Sequence, residues 1–164
     1  MSHLIAGARA RVTDPEAVLR RAQTWATRHG SEVCLADARF VLGRDHLESA
    51  ALHAERAKES GMMATRSLSM ETLLYVSGKR QVADAIRFAG LRPDSEAVGL
   101  VLFGSATADE FLRAMDWSRD DAVLSAEGKS LDAFGVSKRE SDTLPAERRP
   151  DLVLEKVALV DLEK

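Results

Sequence analysis

The sequence predicts a single α/β domain over residues 1–164, in which a small central β-sheet is flanked by several α-helices. The stretch 97–103 is apolar throughout and shows no alternation, which indicates a strand that is covered on both faces. Shorter β-tolerant stretches at 4–12 and 32–36 supply neighbours for that strand. Amphipathic stretches with helix-capping residues separate the strands, and 164 residues is an ordinary length for one domain.

The first predicted helix follows the strand at 4–12. Asp14 is a good N-cap, and Pro15 suits the first helical position because its ring presets the backbone dihedral. Apolar residues then recur with helical spacing as far as Gly30, which can adopt the left-handed conformation that ends a helix. The second predicted strand, at 32–36, follows directly.

Three helices are predicted in the middle of the chain. Asp45 and Glu48 have the spacing of a capping box, and the helix behind them carries a face of leucine and alanine. A second helix is predicted at 67–76 and a third at 79–89, where apolar residues recur at i, i+3, i+4 and i+7. A serine-glycine pair separates the second helix from the third, so the chain must turn there.

The last part of the chain gives a weaker signal. Thr107 and Glu110 form another capping box behind the apolar strand and open a further helix. Within 116–150 only a short helix near 131–134 is predicted, so this part of the domain is the least defined. The apolar segment 151–162 is predicted to be a helix, with a strand as the alternative, and is apolar over more than one face.

The net charge of −3 conceals an uneven distribution. Residues 56–92 carry seven basic and three acidic residues, whereas residues 93–164 carry nine basic and sixteen acidic ones. A basic segment thus lies within an acidic protein, and its position matters more for binding than the total charge does. The alternative is an ordinary solvated surface of mixed charge.

The cysteine content and the apolar runs indicate a cellular compartment. Cys34 is the single cysteine, so neither an intrachain disulfide nor a multi-cysteine zinc site can form, and we expect a small buried side chain. The N-terminus lacks the pattern of a signal peptide, and no apolar run reaches the length of about 18 residues needed to span a bilayer. We therefore expect a cytoplasmic protein that makes no contact with a membrane.

Motifs of catalysis and cofactor binding are missing from the sequence. It contains no glycine-rich phosphate loop, no G-x-S-x-G elbow, no H-E-x-x-H motif and no EF-hand loop. His46 and His53 are seven residues apart, about two helical turns, which is too far for joint metal binding, and we expect both at the surface. We therefore predict no enzyme, no cofactor, no metal and no small-molecule substrate.

The basic segment provides the candidate binding residues. Lys79 and Arg80 stand at the start of a predicted helix, where unpaired backbone amides favour anions such as a phosphodiester. Together with Lys58 and Arg66 they are predicted to form one contiguous surface that contacts nucleic-acid phosphates. The alternative is that these side chains are simply solvated.

The same region resembles the TPRKB family, the small kinase-binding subunit of the KEOPS complex, and is most similar to its archaeal members. The similarity rests on the pattern M-E-x-L-L-x-x-S-G-x-R-Q-x-x-x-A-I, which begins at Met70 and ends at Ile86. The Gly7-Ala8-Arg9 triplet and the segment 153–159 also match, so the resemblance spans nearly the whole chain.

The resemblance implies a small sheet flanked by helices and no active site of its own. It implies that the chain binds and stimulates the kinase-like ATPase subunit of KEOPS and helps to capture tRNA, including its single-stranded 3′ CCA end. Lys58, Arg66, Lys79 and Arg80 are then the expected tRNA-binding residues. Single-stranded RNA is also often held by stacking on aromatic rings, for which Tyr75, Phe88 and Phe40 are the candidates.

The partner-binding face is predicted at the end of the helix at 79–89. Its residues are Val82, Ile86, Phe88 and Leu91, of which Phe88 is favoured because it lies off the apolar stripe of that helix. Val82 and Ile86 are more simply explained as core residues. Two other functions compete with this one: a helix-turn-helix DNA-binding regulator that uses 67–90, and a small enzyme without a recognisable motif.

Overall fold

A four-stranded antiparallel sheet organises the chain. The computed structural model describes residues 2–163, in which the strands are β1 (His3–Arg9), β2 (Ser31–Asp37), β3 (Ala97–Gly104) and β4 (Ser118–Arg119). Their order in the sheet is β2-β3-β1-β4, so the apolar strand β3 lies inside the sheet and pairs with β1 and β2 along its full length. The predicted position of this strand is therefore confirmed.

Seven α-helices complete the chain within residues 2–163. Their bounds are α1 (Pro15–Arg28), α2 (Arg44–Glu59), α3 (Leu68–Ser77), α4 (Val82–Ala89), α5 (Ala108–Met115), α6 (Lys138–Ser141) and α7 (Pro150–Glu163). Short 3-10 helices lie at Ala38–Phe40, Asp121–Leu124, Asp132–Phe134 and Ala146–Arg148. The predicted α/β class is confirmed, because one sheet carries helices on both faces in a single domain.

The two faces of the sheet bury different helices. Apolar residues of α2, α3, α4 and α7 pack with Ile5, Val101 and Phe103 on one face. Helices α1 and α5 cover the other face, where they pack with Leu100 and Leu102. Side chains alternate between the two faces along a strand, so an apolar strand such as β3 is buried on both of them.

Gly7 in β1 allows the chain to close over the open edge of the sheet. A Cβ atom at this position would lie 2.7 Å from Asp120 O and 2.7 Å from Val123 Cγ2. The Gly7 amide donates to Asp121 Oδ1 at 3.0 Å, and Arg9 donates to Asp120 Oδ2 at 2.9 Å. The Gly7-Ala8-Arg9 triplet therefore holds the segment after β4 against β1.

Helix starts were predicted with mixed success. Asp14 caps α1 as expected, and Thr107 caps α5 in a full capping box. The capping box predicted at Asp45 is wrong, because α2 begins at Arg44 after Gly43 and has no side-chain cap bond. The partner expected for that box, Glu48, is instead bonded to His3 in β1, so a tertiary contact replaces the local one.

The last part of the chain is ordered by tertiary contacts. The short helix expected near 131–134 is the 3-10 helix Asp132–Phe134, and the segment predicted at 151–162 is helical, as α7. Helix α7 buries Val153, Val157 and Val160 against the rest of the domain. Its opposite side is open, since Leu162 is 82% exposed, so only one side of this apolar helix is covered within the domain.

Candidate interaction surface

Helix α3 divides the predicted RNA-contacting residues into two pairs. Lys58 lies in the last turn of α2 and Arg66 in the loop before α3, so both are at the N-terminal end of α3. Lys79 and Arg80 follow the C-terminal cap of α3. Because α3 has 10 residues and a helix rises about 1.5 Å per residue, the pairs are roughly 15 Å apart along its axis. The four residues therefore form two cationic ends of α3, and their joint contact with one RNA stays a prediction.

The N-terminal pair is presented by the loop between α2 and α3. This loop leaves α2 through Gly61, whose φ of 71° is in the left-handed region that favours glycine. The Met62 amide then donates to Ala57 O at 2.8 Å. Lys58 and Arg66 are both exposed, so both charges face solvent at this end.

The C-terminal pair is presented by the turn between α3 and α4. Gly78 caps α3 in the left-handed conformation, and the Lys79 amide lies 3.1 Å from Ser77 Oγ and 3.2 Å from Leu74 O. The helix expected to open at Lys79 instead begins at Val82, so the two basic residues precede it. Its N-cap, Gln81, makes no side-chain cap bond, which leaves the first amides of α4 open to an anion.

Six arginines within residues 2–163 are held in ion pairs, whereas three of the four predicted RNA-contacting residues are not. Arg87 pairs with Asp84, and similar ion pairs engage Arg9, Arg39, Arg119, Arg148 and Arg149. Lys58, Arg66 and Arg80 have no acidic partner within residues 2–163. Lys79 is half-buried and lies over the ring of Phe88, with Nζ 4.8 Å from the ring centre. Three of the four charges are thus available to a ligand.

The predicted partner-binding residues do not lie on one exposed face. Ile86 is 43% exposed, and Val82 is half-buried against the core. Phe88 is half-buried in a cluster of three rings, 5.1 Å from Phe40 and 5.0 Å from Phe134 between ring centres. Leu91 is only 8% exposed and packs in the core with α1 and α5, so its expected place in a contact face is wrong. The surface that α4 offers is centred on Ile86.

The aromatic rings expected to stack on bases are largely covered. Tyr75 is fully buried, stacks on His53 and donates its hydroxyl to Asp161, so it cannot meet a base. Arg92 lies over Phe40, with Cζ 4.6 Å from the ring centre, as Lys79 lies over Phe88. Cations already occupy the half-buried rings, which leaves phosphate contact as the main way for this surface to hold RNA.

The expectation that His46 is at the surface is wrong. It is 1% exposed, accepts a hydrogen bond from the Leu42 amide through Nδ1 at 3.0 Å and donates through Nε2 to Val76 O at 2.8 Å. Burial lowers its pKa to about 4, and the nearby charge of Lys129 also lowers it. The ring is therefore neutral near pH 7 and ties the start of α2 to the last turn of α3.

His53 and Cys34 are also packed against other parts of the domain. His53 is half-buried, and its Nδ1 lies 2.6 Å from Asp161 Oδ2 in α7. Cys34 is buried as expected, and burial raises the pKa of its thiol to about 12, so it is not a nucleophile at neutral pH.

No group of metal-ligating side chains is found within residues 2–163, and none of the helices there is long and apolar enough to cross a bilayer.

Glu71 lies beneath this surface, and the sequence did not point to a role for it. It is fully buried in the first turn of α3, directly beneath the loop that carries Arg66. The sequence offered one signal, since a carboxylate within an otherwise apolar helix must be paired when it is buried. Its partners include two backbone amides of the loop and the Thr65 hydroxyl, and backbone amides are present whatever the residue types are.

The described surface is typical of a small α/β binding domain, with exposed cations beside an exposed apolar residue. The family model of the kinase binding protein CGI-121 matches residues 10–132, which is most of the chain. The chain therefore belongs to the CGI-121 family. It is also 36% identical over 111 residues to the EKC/KEOPS complex subunit CGI121 of Eremothecium gossypii. That match covers 65% of this chain and 58% of the relative, so the chain matches less than two thirds of the relative's length.

Proposed function

We propose that this chain is a non-catalytic subunit of a KEOPS complex, in which it binds and stimulates the kinase-like ATPase subunit and helps to hold tRNA at its 3′ CCA end. The observation that carries the proposal is membership of the CGI-121 family of kinase binding proteins. The name of the relative from Eremothecium gossypii supports the choice of complex. The archaeal affinity and the cytoplasmic location belong to the same proposal and rest on the sequence alone.

The charge arrangement supports the RNA-binding part of the proposal. In a protein of net charge −3, exposed cations free of acidic partners retain their full attraction for phosphate. Lys58 and Arg66 provide this at one end of α3, and Arg80 provides it at the other. The open amides of α4 lie beside Arg80 and add a second source of positive potential.

A helix-turn-helix regulator agrees less well with the structure. Its recognition helix would be α4, which has 8 residues and starts only after Lys79 and Arg80. The charged residues on α4 itself are Asp84 and Arg87, which pair with each other. A recognition helix without a free basic residue has little to offer a DNA backbone. Binding to a DNA duplex in preference to tRNA would restore this alternative.

The proposal is tested by measuring the affinity for tRNA with and without its terminal CCA. Two charge-reversal variants remove one end each: Lys58→Glu with Arg66→Glu, and Lys79→Glu with Arg80→Glu. We expect each to weaken binding about tenfold or more, because lost phosphate contacts reduce counterion release. The matched control is Lys138→Glu with Arg139→Glu, which reverses two exposed charges in α6.

The control separates local contacts from the general field of the protein. An equal loss of affinity in all three variants would show that only net charge matters and would contradict the assigned residues. Equal binding of intact and trimmed tRNA would remove the 3′ end from the proposal. The absence of any tRNA binding by the unaltered protein would contradict the RNA-binding function itself.

A further inference from the structure

The carboxylate of Glu71 lies under the loop between α2 and α3. Its oxygens are both 3.1 Å from the Ala64 amide, and Oε2 is 3.0 Å from the Thr65 amide and 2.8 Å from Thr65 Oγ1. Glu71 is 0% exposed, whereas its partners Ala64 and Thr65 lie nearer the surface, so these bonds join a buried acceptor to the outer loop. Hydrogen bonds to an ionised acceptor such as a carboxylate are stronger than those between neutral groups.

These bonds fix the backbone next to Arg66. Thr65 is held by Glu71 on one side of Arg66, and Ser67 caps α3 on the other side by accepting from the Met70 amide at 3.2 Å. The backbone of Arg66 is thus fixed at both neighbours while its guanidinium faces solvent. A binding residue on a fixed backbone loses less conformational freedom when its ligand arrives.

We propose that Glu71 is a positioning residue, which holds the α2–α3 loop in the conformation that presents Arg66 to a phosphate of an RNA strand. The inference rests on the proposed RNA-binding function and adds to it a buried group that never touches the RNA. An acid beneath a cationic surface serves binding here because its oxygens accept hydrogen bonds from the backbone that carries Arg66.

The experiment compares tRNA affinity and its dependence on salt for the full chain and three single variants. Arg66→Gln removes a phosphate contact, so it should weaken binding and reduce the slope of log K against log salt by roughly 0.7 to 0.9. Glu71→Gln keeps the shape but replaces the carboxylate, so it should weaken binding about fivefold while the slope stays unchanged. A purely structural residue far from the loop would move neither quantity.

Glu32→Gln is the matched control for Glu71→Gln. Glu32 Oε2 accepts from the Ser69 amide at 3.3 Å, so it meets the same end of α3 without touching the loop. We expect this variant to bind tRNA like the unaltered protein. Affinity lost equally in Glu32→Gln and Glu71→Gln would overturn the inference, because a general loosening of α3 would then explain both.

A milder variant keeps the test valid if Glu71→Gln does not fold. Thr65→Val removes the hydroxyl that contacts both Glu71 Oε2 and Ser67 O, on the two sides of Arg66, and should weaken binding about twofold with an unchanged slope. Binding by Thr65→Val or by a folded Glu71→Gln that equals that of the unaltered protein would overturn the inference. Failure of the unaltered protein to bind tRNA is a separate outcome, because it removes the proposed function and with it the role of Glu71.

Discussion

The two ends of α3 present cations in similar ways, but opposite kinds of chemistry hold them in place. At the N-terminal end, the carboxylate of Glu71 accepts hydrogen bonds from the backbone of the preceding loop. At the C-terminal end, the uncharged imidazole of His46 bonds to the Leu42 amide and to Val76 O. Both groups are buried, and both replace water as the partner of backbone groups.

The local charge explains which group serves at which end. Around Glu71 the donors are backbone amides and a hydroxyl, which a carboxylate satisfies better than a neutral acceptor does. Near His46 the positive charge of Lys129 disfavours protonation of the imidazole. Lys129 itself is held there by hydrogen bonds from Nζ to Val41 O at 2.7 Å and Val123 O at 2.6 Å. A neutral ring that both donates and accepts is therefore the compatible choice at this end.

The largest effect we expect comes from removing the carboxylate at the N-terminal end. Glu71→Ala leaves the Ala64 and Thr65 amides without their buried acceptor, which should lower the free energy of unfolding by about 3 to 5 kcal/mol. His46→Ala leaves one amide and one carbonyl unpaired and should cost about 2 to 4 kcal/mol. Urea unfolding at pH 7 measures both.

Glu32→Ala is the control for these two losses. It removes a single hydrogen bond of 3.3 Å from a half-buried side chain, so it should cost about 1 kcal/mol or less. A loss from Glu71→Ala no greater than that from Glu32→Ala would show that the loop does not depend on its buried acceptor. The contrast between the two ends of α3 would then have no energetic basis.

The next effect is a dependence on pH that arises from His46 at the C-terminal end. The pKa of His46 is about 4 in the folded protein and about 6.5 in the unfolded chain, so the unfolded chain binds a proton first as the pH falls. Stability is therefore fully present above pH 6.5 and is lost towards pH 4, by about 3 kcal/mol at 1.36 kcal/mol per pH unit. His46→Gln should remove this part of the slope, as measured by urea unfolding across that range.

His3 provides a control of opposite sign. Burial alone would lower its pKa, but hydrogen bonds to Glu55 and Glu48 raise it above the ordinary value. The stability that His3 contributes is therefore present below its unfolded pKa and is lost as the pH rises through its raised pKa. His3→Gln should leave the acid-side loss in place, and a loss that disappears in His3→Gln rather than in His46→Gln would refute the assignment.

The sequence predicted the elements of the fold better than their ends. The strand β3 and the helices α1 and α5 follow from an unbroken apolar run and from local caps, which depend only on neighbours in the chain. The starts of α2 and α4 were missed because Glu48 has a distant partner, His3, and because α4 begins without any side-chain cap. Local sequence patterns cannot predict a helix start that depends on a distant partner or that has no side-chain cap.

The candidate site was predicted in composition but not in arrangement. Lys58, Arg66 and Arg80 are exposed as their charge suggested, yet α3 separates them because its length sets their spacing. Phe88 was predicted to be the better exposed contact residue, but Ile86 is exposed and Phe88 is half-buried. The position off the apolar stripe that favoured Phe88 as an exposed residue places it against Phe40 and Phe134, which reach α4 from elsewhere in the chain.

The smallest effect on stability should come from Ile86→Glu. This variant tests whether α4, which follows the C-terminal end of α3, contacts the protein partner. Because Ile86 is 43% exposed, we expect a cost within about 0.5 kcal/mol, together with loss of co-purification with the proposed kinase-like partner. Leu52→Glu, at a residue 40% exposed on α2, is the matched control and should keep the partner. Retained binding by Ile86→Glu, or equal loss in both variants, would separate the partner face from α4. The two ends of α3 would then differ in how they are built, with no division between RNA and protein partners.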